Sequence, residues 1–189
     1  NITPLNHTES QLFQLVGMFE EQYNRSQFPE VYESLYAIQK GQTDSLKLLK
    51  KRGLTETEIR RVCFEKGGTS VLADGYLVAG KLSQDQEQAL IGYGIYLQLL
   101  DDIQDMKEDA TTLTNTMCTS LENSDLDEFV NRTIHFGRTA LEEMKCFEAP
   151  NVDVFLNLMN RSIETMIIES IGLNETGFVW KGMDIINNA

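Results

Sequence analysis

Apolar side chains recur at three- and four-residue steps along almost the whole chain, and no stretch alternates with period two. The pattern predicts helices throughout. Leu12, Leu15, Val16 and Phe19 share one face and predict a helix over 8–24. Pro29 suits the first turn of a second helix, expected to run to about Lys40. The "KGQTDS" stretch from Lys40 to Ser45 is expected to interrupt it, with a short basic helix to Arg52 ended by Gly53. Thr55 with Glu58 forms a capping box and opens a long helix to about Ala79. Inside that helix Gly67, Gly68 and Gly75 each cost roughly 1 kcal/mol of helix propensity, which predicts a bend or a very close neighbour. Ser83 with Gln86 is a second capping box, opening a helix over 84–107. A Thr/Asn-rich loop, "ATTLTNTMCTS", is expected next. Ser124 then caps a helix to about Phe147, and Pro150 and Asn151 begin another through Ile171. The glycine-containing tail is expected to be irregular or to hold one short helix. The fold class is therefore all-α, one helical domain over residues 1–189.

The fourth long helix breaks its own pattern. "LQLLDDIQDMKED" places Asp101, Asp102, Asp105 and Asp109 where apolar residues would continue. On a helical wheel with Gln98 at zero, Asp101 falls near −60°, Asp102 near +40°, Asp105 near −20° and Asp109 near +20°, at about 100° per residue. Gly94 lies in the same arc, while Leu97, Leu99, Leu100 and Ile103 fill the flanks and back. A solvated helix face usually mixes signs and gains from ion pairs four residues apart. This face has one sign, and its charges repel unless a cation intervenes. Two readings follow: a charged helix edge, or a site for a hard divalent cation such as Mg2+.

Composition narrows the choice. The chain has 189 residues, 41% of them hydrophobic, and a formal net charge of −13. That balance argues against nucleic acid and anionic membrane surfaces as partners. No run is long and apolar enough for a transmembrane segment. It leaves open an anionic ligand held through a metal, which inverts the local sign. Two histidines make a His-based triad or a His-rich zinc site unpromising. Cys63, Cys118 and Cys146 show no metal or redox spacing, which suits a reducing, cytoplasmic setting.

The motif "GIYLQLLDDIQDMKED" resembles the second aspartate-rich motif of class I isoprenoid synthases, the trans-prenyl diphosphate synthase type. Gly94, Gln98, Asp101, Asp102, Asp105 and Asp109 match its pattern. Leu97 stands where that family often has Phe. "GQTDSL" from Gly41 resembles the Gly-Gln-x-x-Asp segment of the same enzymes, with its Asp one residue early at Asp44. "EKGGTSVLADGYLVAG" is similar, in looser register, to the helix whose Lys-Thr pair meets the diphosphate.

The resemblance covers roughly 35–132. It implies an isoprenoid-synthase-like helical bundle acting on an allylic isoprenoid diphosphate with Mg2+ as cofactor. Asp101 and Asp105 would then ligate the metal, Asp102 would help through water, and Asp109 would complete the acidic set. Gln42, Lys66, Thr69 and Gln98 would face the substrate. Leu72, Tyr76, Leu97 and Phe136 could line the isoprenoid cavity or form ordinary core. The family's first aspartate-rich motif has no counterpart here; Glu20 and Glu21 are the early acidic pair and do not match it. The chain is therefore expected to be a C-terminal portion of such a fold, with a missing N-terminal half, a partner subunit supplying it, or a loss of catalysis. A homo-oligomer is expected. The competing expectation is a non-catalytic domain that binds a prenyl diphosphate or another subunit.

Overall fold

The computed structural model describes residues 3–49, 53–121 and 125–173. Among them every regular element is helical: α1 (His7–Gln22), α2 (Pro29–Ser45), α3 (Glu56–Ala79), α4 (Gln84–Gln104), α5 (Met106–Thr112), α6 (Leu126–Glu143) and α7 (Val152–Leu173). Single 3-10 turns follow α2 (Leu46–Leu48) and α6 (Met144–Phe147). One isolated bridge pairs Leu49 with Thr114. None of these helices is long and apolar enough to cross a membrane.

Both predicted capping boxes are present. Thr55 Oγ1 accepts from the Glu58 N–H at 3.2 Å, while Glu58 Oε2 accepts from the Thr55 N–H at 2.8 Å. These bonds satisfy donors that a helix start otherwise leaves unpaired. Thr55→Ala should cost about 1 kcal/mol and lower the melting temperature by about 2–4 °C, read by thermal denaturation. Ser83 and Gln86 repeat the arrangement at the start of α4.

Three expectations shift. The "KGQTDS" stretch does not break α2, which runs unbroken to Ser45. Gly41 is buried there because it meets α3: a Cβ on it would lie 2.9 Å from Thr69 Oγ1 and 3.2 Å from Glu65 O. Close packing thus outweighs the poor local propensity. The helix after Ser83 is split at Asp105, and its second part continues through Thr112, inside the expected loop. The basic segment after α2 begins as a 3-10 turn, and its residues Lys50, Lys51 and Arg52 lie outside the described residues, as do Ser124 and the tail from Asn174.

α4 is the centre of the assembly. One side meets α3, and the opposite side packs on α6 and α7. The larger core joins Tyr96, Leu100 and Ile103 of α4 to Val130 and Ile134 of α6 and Ile163 and Ile167 of α7. Gly137 leaves room for the Tyr96 ring, which a Cβ at that position would strike. A smaller core joins Ile59, Val62 and Cys63 of α3 to Leu99 and Met117. A third unites Tyr23, Val31, Tyr32 and Tyr76. α1 contributes no buried residue, and Leu12, Phe13, Leu15, Val16 and Met18 are all exposed.

Candidate functional site

The site grows out of a helix crossing. Gly67 of α3 and Gly94 of α4 face each other so closely that a Cβ on Gly67 would lie 2.5 Å from the Gly94 carbonyl oxygen and 2.6 Å from Gln98 Cβ. The reciprocal addition on Gly94 would strike the Gly67 carbonyl. Backbone therefore rests on backbone, the close neighbour that the clustered glycines predicted. The contact sets the register of the two helices. It brings Lys66, beside Gly67, level with the residues one and two turns beyond Gly94.

Lys66 Nζ lies 3.7 Å from Asp101 Oδ2, with the two side chains 33% and 54% exposed. A pair this open to water contributes at most about 1 kcal/mol. Gln98 is buried beneath it and donates from Nε2 to Asp102 Oδ1 at 2.9 Å and to Asp101 Oδ2 at 3.2 Å. Asp102 is only 2% exposed. Its Oδ2 accepts from the Met117 N–H at 3.0 Å. Burial pushes its carboxyl up to about 6; the hydrogen bonds from Gln98 and Met117 and the charge of Lys66 oppose the rise, and the charge of Asp101 adds to it.

Asp105 is exposed at the junction of α4 and α5. Its N–H still donates to Asp101 O at 2.9 Å, and its carbonyl accepts from the Asp109 N–H at 2.8 Å. The helical spacing of the acids thus survives the break. Asp109 is half-buried. Burial raises its carboxyl, the charges of Asp105 and Asp101 add to that, and Lys66 opposes it. Asp101, Asp105, Asp109 and Lys66 therefore share one electrostatic neighbourhood.

The eight residues singled out in the sequence divide into two groups. Lys66, Gln98 and the four aspartates come together. Gln42 and Thr69 sit apart, on the seam between α2 and α3. Gln42 is exposed, its Nε2 3.4 Å from Ser70 Oγ. Thr69 spends its hydroxyl on its own helix, donating to Glu65 O at 2.6 Å, and faces Gly41. Asp102 also differs from expectation: it turns inward to Gln98 and Met117, not outward as a ligand through water. Among the described residues no three His, Cys, Asp or Glu side chains converge to hold a metal ion. The inward turn of Asp102 removes one candidate carboxylate from such a group. Asp44, the counterpart of the motif acid, is held by Lys40 at 3.0 Å and Lys47 at 2.5 Å, which keep its carboxyl low, at about 2.

Of the candidate cavity residues, Tyr76 is buried in the third core with its hydroxyl bonded to Glu87, and Leu72 packs beside it. Leu97 packs on the larger core, and Phe136 lies at the outer face of α6. Two residues escaped notice in the sequence: Ser70 on the α2–α3 seam with Gln42, and Met117 at the acidic cluster. Ser70 lies four residues beyond Lys66 on α3, a spacing that could have flagged it. Met117 enters through its backbone N–H, for which side-chain identity carries no signal.

No family model, no curated protein and no solved structure matches this chain.

Proposed function

We propose that this chain supplies the second acidic half of a Mg2+-dependent site for an allylic isoprenoid diphosphate, in a helical bundle of the class I isoprenoid-synthase type. The observation that carries the reading is the meeting of Lys66 with Asp101 across the Gly67–Gly94 crossing, with Asp105 and Asp109 in the same field. A hydrophobic crossing needs none of these charges at its end. Three acids against one lysine leave a negative field that favours a hard cation, and an ammonium beside it offers a point charge to a phosphate oxygen.

The donors suit Mg2+ because that ion needs only one or two carboxylates when phosphate oxygens and water complete its shell. Asp101 and Asp105, both exposed, would hold it, and Asp109 would add to the field. Mg2+ would neutralise the diphosphate and stabilise it as a leaving group. Gln98 restrains the Asp101 carboxylate through its amide. Lys66, freed from Asp101, would turn its ammonium to the diphosphate.

A second reading, a non-catalytic domain that binds a prenyl diphosphate or another subunit, is favoured by α1. Its exposed apolar face suits a partner chain that completes the fold. The two readings part on turnover: pyrophosphate release from an allylic diphosphate supports the first.

Both readings share a binding test. Mg2+ with pyrophosphate at about a hundred times the dissociation constant should add about 2.7 kcal/mol, a rise of about 5–10 °C in melting temperature. Asp101→Ala should abolish that rise. A wild-type melting curve unmoved by millimolar Mg2+ and pyrophosphate would reject the site.

A further inference from the structure

We propose that Asp102 is a positioning residue, a buried clamp that fixes Gln98, and through it Asp101, with one oxygen and the backbone of segment 113–121 with the other. Its two oxygens serve different masters. Oδ1 accepts from Gln98 Nε2 at 2.9 Å, one turn back on α4. Oδ2 accepts from the Met117 N–H at 3.0 Å, fifteen residues further along the chain. At 2% exposure the carboxylate has no open side towards water.

Each partner passes the restraint on. The same Gln98 nitrogen also donates to Asp101 Oδ2 at 3.2 Å, so fixing the amide fixes an exposed acid of the site. On the other side, segment 113–121 has little regular structure to hold it. Leu113 opens it in the left-handed region at φ 59°. Asn115 ties it to Leu48 O through its backbone N–H at 2.9 Å and Nδ2 at 2.7 Å. Met117 is the next tie, and it ends on Asp102. Beneath that tie Met117 is buried in the same core as Cys63 of α3, and Cys118 is buried in the larger core. One carboxylate therefore joins the acidic edge to the cover of the α3–α4 seam.

The clamp has a chemical signature that an isosteric change exposes. An amide at this position cannot accept from both partners as the carboxylate does. With its nitrogen towards Gln98, that glutamine must turn its own oxygen inward, towards the Asp101 carboxylate. With its nitrogen towards Met117, it faces another donor. Asp102→Asn must then loosen one side or the other.

The test follows Met117 amide exchange and Cys118 labelling by a thiol reagent in the intact chain, with Mg2+ and inorganic pyrophosphate as the site probe. In Asp102→Ala both rates should rise at least tenfold, and the Mg2+ concentration giving half of the thermal shift should rise at least fivefold. A folded Asp102→Ala protein with wild-type exchange and labelling would overturn the clamp. If Asp102→Ala does not fold, Asp102→Asn decides: wild-type values for exchange and labelling would overturn it, and a rise in either supports it. The Mg2+ arm rests on the proposed function, whereas exchange and labelling do not. A wild-type protein without any Mg2+ response sinks the diphosphate site and leaves the clamp to be judged by the other two rates.

Discussion

Gly94→Val destabilises the folded chain by about 3 kcal/mol or more, and lowers its melting temperature by about 6–12 °C. Overfilling a core usually costs about 1–3 kcal/mol, because neighbouring side chains can change rotamer. Here the obstructing atom is the Gly67 carbonyl, which is fixed in the α3 backbone and cannot rotate aside. The helices must separate along their whole contact. Gly67→Ala and Gly94→Ala should be clearly non-additive, because either one opens the same gap. Gly17→Ala is the control: it lies in α1 with no atom near its added methyl, and it should gain about 0.5–1 kcal/mol. Denaturant titration of the wild type, the four single variants and the Gly67→Ala/Gly94→Ala double variant measures all of this. A Gly94→Val protein as stable as wild type would mean that the two helices do not meet there.

The second large effect is a dependence on pH. In metal-free buffer, wild-type stability relative to Asp102→Asn falls by on the order of 2 kcal/mol as pH rises from about 4 to 7. The carboxyl is raised from 3.8 to about 6 in the folded chain. Below the lower value both states carry the proton. Between the two values the unfolded chain releases it first and binds fewer protons, so stability drops as pH rises through the folded value. The asparagine variant has no proton to lose, so subtraction cancels the other carboxylates. The groups facing Asp102 are Lys66 and Cys63 from α3, Asp101 on its own helix, and Cys118. Burial leaves both thiols well above their ordinary value, so neither titrates in this range. Parallel stability curves for the two proteins from pH 4 to 7 would refute the expectation.

What the sequence disclosed was what depends on neighbours in sequence. Thr55 with Glu58 and Ser83 with Gln86 mark helix starts because each box closes within four residues. Gly67, Gly68 and Gly75 announced a close approach because a helix tolerates such a cost only for packing. The acidic arc was legible because Gly94, Gln98 and the aspartates keep helical spacing even across Asp105. What failed depended on distant atoms. A wheel gives the direction of Asp102 but not that the Met117 N–H waits opposite it. Gly41 reads as a breaker until α3 is placed against it. Thr69 shares the spacing of Lys66, yet α2 claims its side of the helix.

Because α4 lies between two cores, the helix that carries the acids is among the last parts of the molecule to open. Its amides should exchange only with global unfolding, while those of α1, which buries nothing, should open at almost no cost. Any plasticity at that end of the molecule must then come from the periphery and from α5, which carries Asp109 and also buries no residue, while Asp101 and Asp102 stay a fixed electrostatic landmark on α4.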